Sequence, residues 1–302
     1  MKGLTRSPAG RVGVGRETLS VWQLVELARH QDRPYFLDYM ARLAPDFVEL
    51  HGDRLSADDP ALVAGIGTWH GRTALLMGNQ KGRNLSDRLR RNWGMMHPEG
   101  YRKAIRLAHQ AAKFGFPIVC LVDTPGAYPG AGAEERGIAA AIAGAILEWF
   151  TIPVPVVACI IGEGGSGGAL GLAVADRVLM MENSIYSVAS PEAAASIVWR
   201  DNARKVEAAE QLQITSRDLL AMGVVDEVIP EPEGGAHLDY DAAAQALDAA
   251  LMRALQPLLE EDPKVLLERR YERYRYIDSL IGAAEHFGPK VGVPNESPDS
   301  VG

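Results

Sequence analysis

The chain has 302 residues, 47% of them hydrophobic and 23% charged, with a formal net charge of −8 at pH 7. This is enough apolar chain for a sizeable buried core, and the acidic balance argues against nucleic acid as the main ligand, because phosphate binding calls for a basic face. The two cysteines, Cys120 and Cys159, lie in separate apolar runs, so they read as core residues in a reducing, cytoplasmic setting and not as a disulfide framework or a zinc site, and no apolar run reaches the roughly 18 residues of a membrane span.

Residues 1–16 read as a flexible lead-in without the apolar segment of a signal peptide. Residues 17–50 carry helical spacing in "LSVWQLVELARH" and "PYFLDYMARLAPDFVEL", with a break at Pro45. Two short apolar runs follow, "ALVAGIGTW" and "RTALLMGNQ". His70-Gly71 lies between them and suggests a β-hairpin. The basic stretch "KGRNLSDRLRRNWGMMH" reads as a loop. Pro98 then opens a helix that runs to Gly115, with Tyr101, Ala104, Ile105, Ala108, Ala111 and Ala112 on one face.

From Pro117 the pattern alternates. "PIVCLVD", "VPVVACIIG", "RVLMMEN", "IYSVA" and "VVDEVI" read as strands, separated by helices such as "IAAAIAGAILEWF" and "GALGLAVA". Such alternation implies an α/β protein with right-handed crossovers on a mostly parallel sheet. A core over 51–238 is expected, with charged helices at 239–287 packed outside the sheet or against a partner, and a flexible tail at 288–302.

Two glycine-rich segments leave the ends of buried strands. One is "DTPGAYPGAGAEERG", the other "GEGGSGGALGLAVAD" beginning at Gly162. Loops at strand C-termini form the binding crevice of an α/β sheet, so these two converge if their strands are neighbours. The second fits three short patterns. Gly162, Gly164 and Gly167 spell a dinucleotide loop, with Glu182 at the right distance for a ribose; this is the reading of an NAD-dependent oxidoreductase. Gly164, Ser166 and Gly168 spell a serine nucleophile elbow, which needs a histidine and an acid. The third reading is a backbone cradle, in which free N–H groups at a helix start hold a developing negative charge. One such donor is worth about 3 kcal/mol in a transition state.

Longer motifs separate these. "HGDRLSADDPALVAGIG", "GNQKGR", "NWGMMHPEGYRKAIRLAHQAAKFGFPIVCLVDTPGAYPGAGAEERG", "IIGEGGSGGAL", "YSVASPEAAASIVWR" and "IPEPEGGAH" occur in order between about Leu37 and Tyr276. Together they resemble the carboxyltransferase α subunit of bacterial multisubunit acetyl-CoA carboxylase. One departure is Asn79, where the family pattern reads "GHQKGR".

The resemblance implies a crotonase-like, or ClpP-like, spiral of ββα units with helical extensions at both ends. It implies carboxyl transfer from carboxybiotin, borne on a separate biotin carboxyl carrier protein, to acetyl-CoA. A β subunit that carries a zinc ribbon and most of the acetyl-CoA site would complete an α2β2 assembly. A separate biotin carboxylase would use the ATP. No metal is expected in this chain. Biotin brings the acid–base chemistry, leaving positioning and oxyanion stabilisation to the protein. The resemblance places the amides of Gly167, Gly168 and Ala169 as the biotin-side cradle and Gly126 and Ala127 as the facing wall. Gly164, Gly165, Ser166, Pro125 and Tyr128 would line the cofactor site. Lys81, Arg83, Arg88, Arg90 and Arg91 form a basic cluster in the sequence that would meet CoA phosphates or the β subunit, or stay solvated. Glu134, Glu135 and Arg136 read as an ion-pair set or a closing element, and Trp93, Met95 and Met96 as a lid or as core.

Overall fold

The structure, a computed structural model, describes residues 19–275. The expected flexible ends and the last part of the expected C-terminal helices lie outside these residues. Helix α1 (Val21–Ala28) starts at Ser20, whose hydroxyl accepts the Gln23 N–H while the Gln23 side chain accepts the Ser20 N–H. This reciprocal cap satisfies two amides that a helix start leaves open. Helix α2 (Phe36–Leu43) stops two residues before Pro45, as the sequence suggests, because the residue before proline avoids helical backbone.

Strands β1 (Val48–Glu49), β2 (Leu62–Trp69) and β3 (Arg72–Asn79) pair antiparallel. The hairpin turns on His70 and Gly71, both at positive φ, the backbone that matches strand twist in a two-residue loop. The basic stretch is not loop throughout. Asn84 caps a six-residue helix α3 (Leu85–Arg90), and a 3-10 turn follows at Asn92–Gly94. Helix α4 (Pro98–Phe114) has Pro98 in its first turn and ends on Gly115 in the left-handed region, the backbone signals that its sequence carried.

The alternating part comprises β4 (Ile118–Thr124), α5 (Ala131–Glu135), α6 (Ile138–Trp149), β5 (Val156–Gly165), α7 (Ser166–Ala173), β6 (Arg177–Met181) and β7 (Ile185–Ser187). Then come α8 (Pro191–Trp199), α9 (Lys205–Gln211), α10 (Ser216–Ala221), β8 (Glu227–Ile229), α11 (Tyr240–Leu255) and α12 (Pro263–Arg275). The sheet order is β1-β2-β3-β4-β5-β6-β8, with β7 pairing the far end of β5. All pairings from β3 onward are parallel.

Successive strand residues face opposite sides, and both sides are covered. Leu75, Met77, Ile118, Cys120, Val122, Ala158 and Ile160 pack under α4, α6 and α7. Leu76, Val119, Leu121, Val157, Cys159, Leu179 and Met181 pack under α2 and α11. Both cysteines are buried and free, as expected.

The first helix after residue 238 packs flat on one face of the sheet. Ala243, Ala244, Leu247, Ala250, Leu251 and Leu255 of α11 form part of its second core. Helix α12 is pinned as well. All five N–H donors of the buried Arg270 guanidinium are used, on both Asp176 oxygens and the carbonyls of Trp149, Ile152 and Val154. No helix among the described residues is long and apolar enough to cross a membrane.

Candidate active site

The apolar sequences "PIVCLVD" and "VPVVACIIG" become adjacent parallel strands, so the two glycine segments they carry do meet. Strand β5 runs further than its apolar letters suggest. It includes Gly162, Glu163, Gly164 and Gly165, and α7 begins at once with Ser166. A Cβ on Gly165 would lie 2.1 Å from the Pro125 carbonyl oxygen, and one on Gly168 would lie 2.3 Å from the Gly126 carbonyl carbon. Glycine is thus required where Gly165–Ala169 is laid against Pro125–Ala127. Next to Gly126 there is open space, with no heavy atom within 4 Å of an added Cβ. Thr124 shapes that loop, its hydroxyl accepting the Gly126 N–H and donating to the Gly126 carbonyl.

The three short patterns fare differently against this geometry. Gly162 and Gly164 lie inside a strand and not at a phosphate-binding turn. Their missing side chains leave room for the Asp123 carboxylate and the Tyr186 ring, and Glu182 accepts the Glu231 N–H. Ser166 does sit at a sharp strand-to-helix turn, exposed and at φ 48, the backbone shape of an elbow. Its partners are missing among the described residues. His51, His70 and His109 face carboxylates, His30 stacks on His237, and His97 contacts Arg136 and Tyr128. His286 lies outside the described residues. The first amides of α7 have no side-chain cap, and amides at a helix start have no partner within the helix.

Behind the two loops lies a buried charge network that the sequence reading missed. Lys81, just after β3, places its Nζ 2.7 Å from Asp123 Oδ1 of β4 and 2.8 Å from Glu163 Oε1 of β5. Arg29, after α1, continues the chain to Glu163 and to Glu192 of α8, each at 2.7 Å. Burial disfavours the charge on Lys81, but the two carboxylates outweigh it and hold its pKa above the ordinary value. Glu163 is held below the usual carboxylate range, since Lys81 and Arg29 together outweigh its burial. Asp123, fully buried and sharing one ammonium, is pushed up by that burial. The available signal was a lone acid at the end of an apolar strand ("LVD") and another among glycines ("GEGG").

The basic cluster does not form one patch. Lys81 is buried in the network, its ammonium engaged by Asp123 and Glu163. Arg83 donates to the Gln31 and Arg33 carbonyls, pairs with Asp38 and lies over the Tyr35 ring. Arg88 donates to the Gly82 carbonyl, Arg90 pairs with Asp87, and the buried Arg91 donates to Asp87 and the Pro60 carbonyl. Arg136 pairs with Glu99, so the expected set with Glu134 and Glu135 is not formed.

Of Trp93, Met95 and Met96, read as a lid or as core, Met96 is core, Met95 is half-buried and Trp93 is exposed. The Met96 carbonyl accepts the Tyr128 N–H, and the Tyr128 ring lies 4.2 Å from that of His97. Asn79, the departure from the family pattern, is buried. It donates to the Gly94 carbonyl and accepts the Asp123 N–H, so it ties the 92–94 turn to the end of β4.

A family model described as acetyl co-enzyme A carboxylase carboxyltransferase-like matches residues 14–278. The acetyl-coenzyme A carboxylase carboxyl transferase subunit alpha of Sorangium cellulosum is 53% identical over 264 residues, 87% of this chain and 83% of that one. The protein of the same name from Thermus thermophilus is 52% identical over 264 residues, 87% of this chain and 84% of that one. In fold, the chain is similar to one of a Pseudomonas malonate decarboxylase hetero-tetramer in complex with coenzyme A. The TM-score there is 0.62 at 18% identity, covering 83% of this chain and 99% of that one. It is also similar to transcarboxylase 12S, with a TM-score of 0.59 at 22% identity, over 75% of this chain and 44% of that one. These neighbours agree with the crotonase-like class expected from the motifs. The chain belongs to the acetyl-CoA carboxylase carboxyltransferase α-subunit family and is a transferase.

Proposed function

We propose that this chain, joined to a β subunit, moves a carboxyl group from carboxybiotin to acetyl-CoA to form malonyl-CoA, the committed step of fatty acid synthesis. The observation that carries the chemical reading is the contact of two glycine-rich strand ends beside a helix start, with no nucleophile–base pair at Ser166 among the described residues. When bound, biotin supplies the carboxyl group and a ureido oxygen that gains negative charge as that group leaves. The residues present fit such a group. Gly167 and Gly168, just ahead of Ala169, would offer backbone N–H donors, and the helix dipole favours negative charge at that end. Gly167 and Gly168 have no side chain to shield their amides, and the space beside Gly126 is open.

Gly126 and Ala127 form the opposite wall. Pro125, Tyr128, Gly164, Gly165 and Ser166 frame the approach. The protein's work is then to hold two reactants in register and to stabilise charge with donors fixed in advance. In this reading the β subunit holds acetyl-CoA and the zinc, and a separate carrier protein presents the biotin. The biotin carboxylase that recharges the carrier is a third partner, and the transferase is an α2β2 assembly. Arg83 and Arg90 are the exposed cations of this run that would meet CoA or β, whereas Lys81 is held by two carboxylates.

The test is reconstitution. The chain is co-expressed with its β subunit, and malonyl-CoA-dependent carboxylation of biotin and its reverse are followed. Transfer is expected from the complex and not from this chain alone. Full transfer by the isolated chain would remove the partner requirement, and an inactive, correctly assembled complex would remove the assignment.

A further inference from the structure

We infer that Lys81 is a positioning residue for this site: its ammonium, clamped between Asp123 and Glu163, sets the spacing of the two loops that β4 and β5 carry into the site. The clamp lies where the sheet itself is weakest. Val122 is opposite Ile160, but Thr124 is opposite Gly164, so β5 advances four residues while β4 advances two. A bulge of this kind interrupts the ladder and leaves backbone groups to find other partners. Side chains fill the gap. Asp123 Oδ1 accepts the Glu163 N–H at 2.9 Å, and Lys81 Nζ bonds to the same oxygen at 2.7 Å and to Glu163 Oε1 at 2.8 Å.

Both acids are at the edge of the site. Asp123 is two residues before Pro125, and Glu163 is two residues before Gly165, whose absent side chain faces the Pro125 carbonyl oxygen. Arg29 carries the network on from Glu163 to Glu192, and Arg29, Glu163, Gly165 and Pro125 line one small cleft with Ser190 and Pro191. Three elements therefore take their relative position from one fixed ammonium. A purely structural ion pair would change stability alone. A clamp at this bulge changes the alignment of reactants, where a shift of about 1 Å costs about a hundredfold in rate.

The experiment uses the full chain in complex with β, as Lys81→Met and as the charge-balanced pair Lys81→Met with Asp123→Asn. The double variant guards against unfolding from an unpaired buried carboxylate. The expected result is a fall of about a hundredfold in kcat, with the KM for acetyl-CoA within about twofold. Amides 126–128 and 165–169 should exchange hydrogen about tenfold faster, with α11 amides unchanged. Lys81→Arg should restore part of the rate.

The proposal is overturned if the double variant keeps kcat within about twofold of the parent. It is also overturned if exchange rises equally over the whole chain, including through unfolding of both variants. The kinetic arm rests on the carboxyl-transfer reading, whereas the exchange arm does not. An unmodified complex without transfer activity would sink that reading and leave the clamp to be judged by exchange.

Discussion

Gly167 and Gly168 are adjacent, yet their missing side chains face different neighbours. A Cβ on Gly168 would press on the Gly126–Ala127 backbone, with its closest atom at 2.3 Å, whereas one on Gly167 would meet the Ile142 side chain at 3.4 Å. Backbone cannot step aside as a flexible side chain does. Gly168→Ala is therefore expected to push the two loops apart and to destabilise the chain by about 1–3 kcal/mol, the ordinary cost of overpacking. Gly167→Ala is expected to be neutral or to stabilise by up to about 1 kcal/mol, because alanine is the better helix former. Thermal melts of the two variants check this contrast, and equal melting temperatures would contradict it. The sequence made the glycine density visible but not which glycine touches which loop. That depends on the β4–β5 register and on the bulge at Asp123, which no short pattern encodes. The same limit hid Lys81. Between Arg83 and Gly78 it reads as one cation in a basic run, and only partners 42 and 82 residues away turn it into a buried one.

The elements were more legible than their packing. Helix α4 carried its own signals, Pro98 at the start and Gly115 at the end, and the strands of the parallel part showed as short apolar runs. What lay beyond local reading was how loops are tied. Glu231, just past β8, is buried against Arg33, with Nη2–Oε1 at 2.5 Å, and also accepts the Asn183 and Ala236 N–H groups. Burial alone would raise its pKa, but Arg33 and those amides outweigh burial and hold it below the ordinary value. A carboxylate depressed in the folded state contributes stability above its unfolded pKa of about 4.3 and loses it as pH falls toward the folded value. Urea midpoints of the parent chain should therefore fall as pH drops below about 4.3. Glu231→Gln should lower stability at pH 7 by about 3–5 kcal/mol, since it strands a buried guanidinium, and should flatten the acid limb. An unchanged acid limb would show that this pair does not govern it.

At the scale of the whole molecule, the motifs pointed to the family that the chain matches along most of its length, whereas the layering of the sheet is not written in any one motif. Residues 51–238 carry nearly all of those motifs, which makes the terminal helices look like additions. They are not. Helices α2 and α11, with Leu258 and Leu266 beyond them, pack on one face of the sheet. A chain ending at Leu238 would expose Val119, Leu121, Val157, Leu179 and Met181 to water, all of them buried in the full chain. It would also lose Leu247, Leu251 and Leu255 from the core. Each buried residue of this size is worth about 1.5–3 kcal/mol, and a domain holds only about 5–15 kcal/mol of net stability. Removing α11 thus takes away an amount comparable to the whole margin, before the Arg270 anchor of α12 is counted. The chain ending at Leu238 is expected to show no cooperative thermal transition by circular dichroism and to scatter light at micromolar concentration. Its folding with a transition within about 5 °C of the full chain, a difference of roughly 1–2 kcal/mol, would mean that the second face of the sheet is stable without its cover.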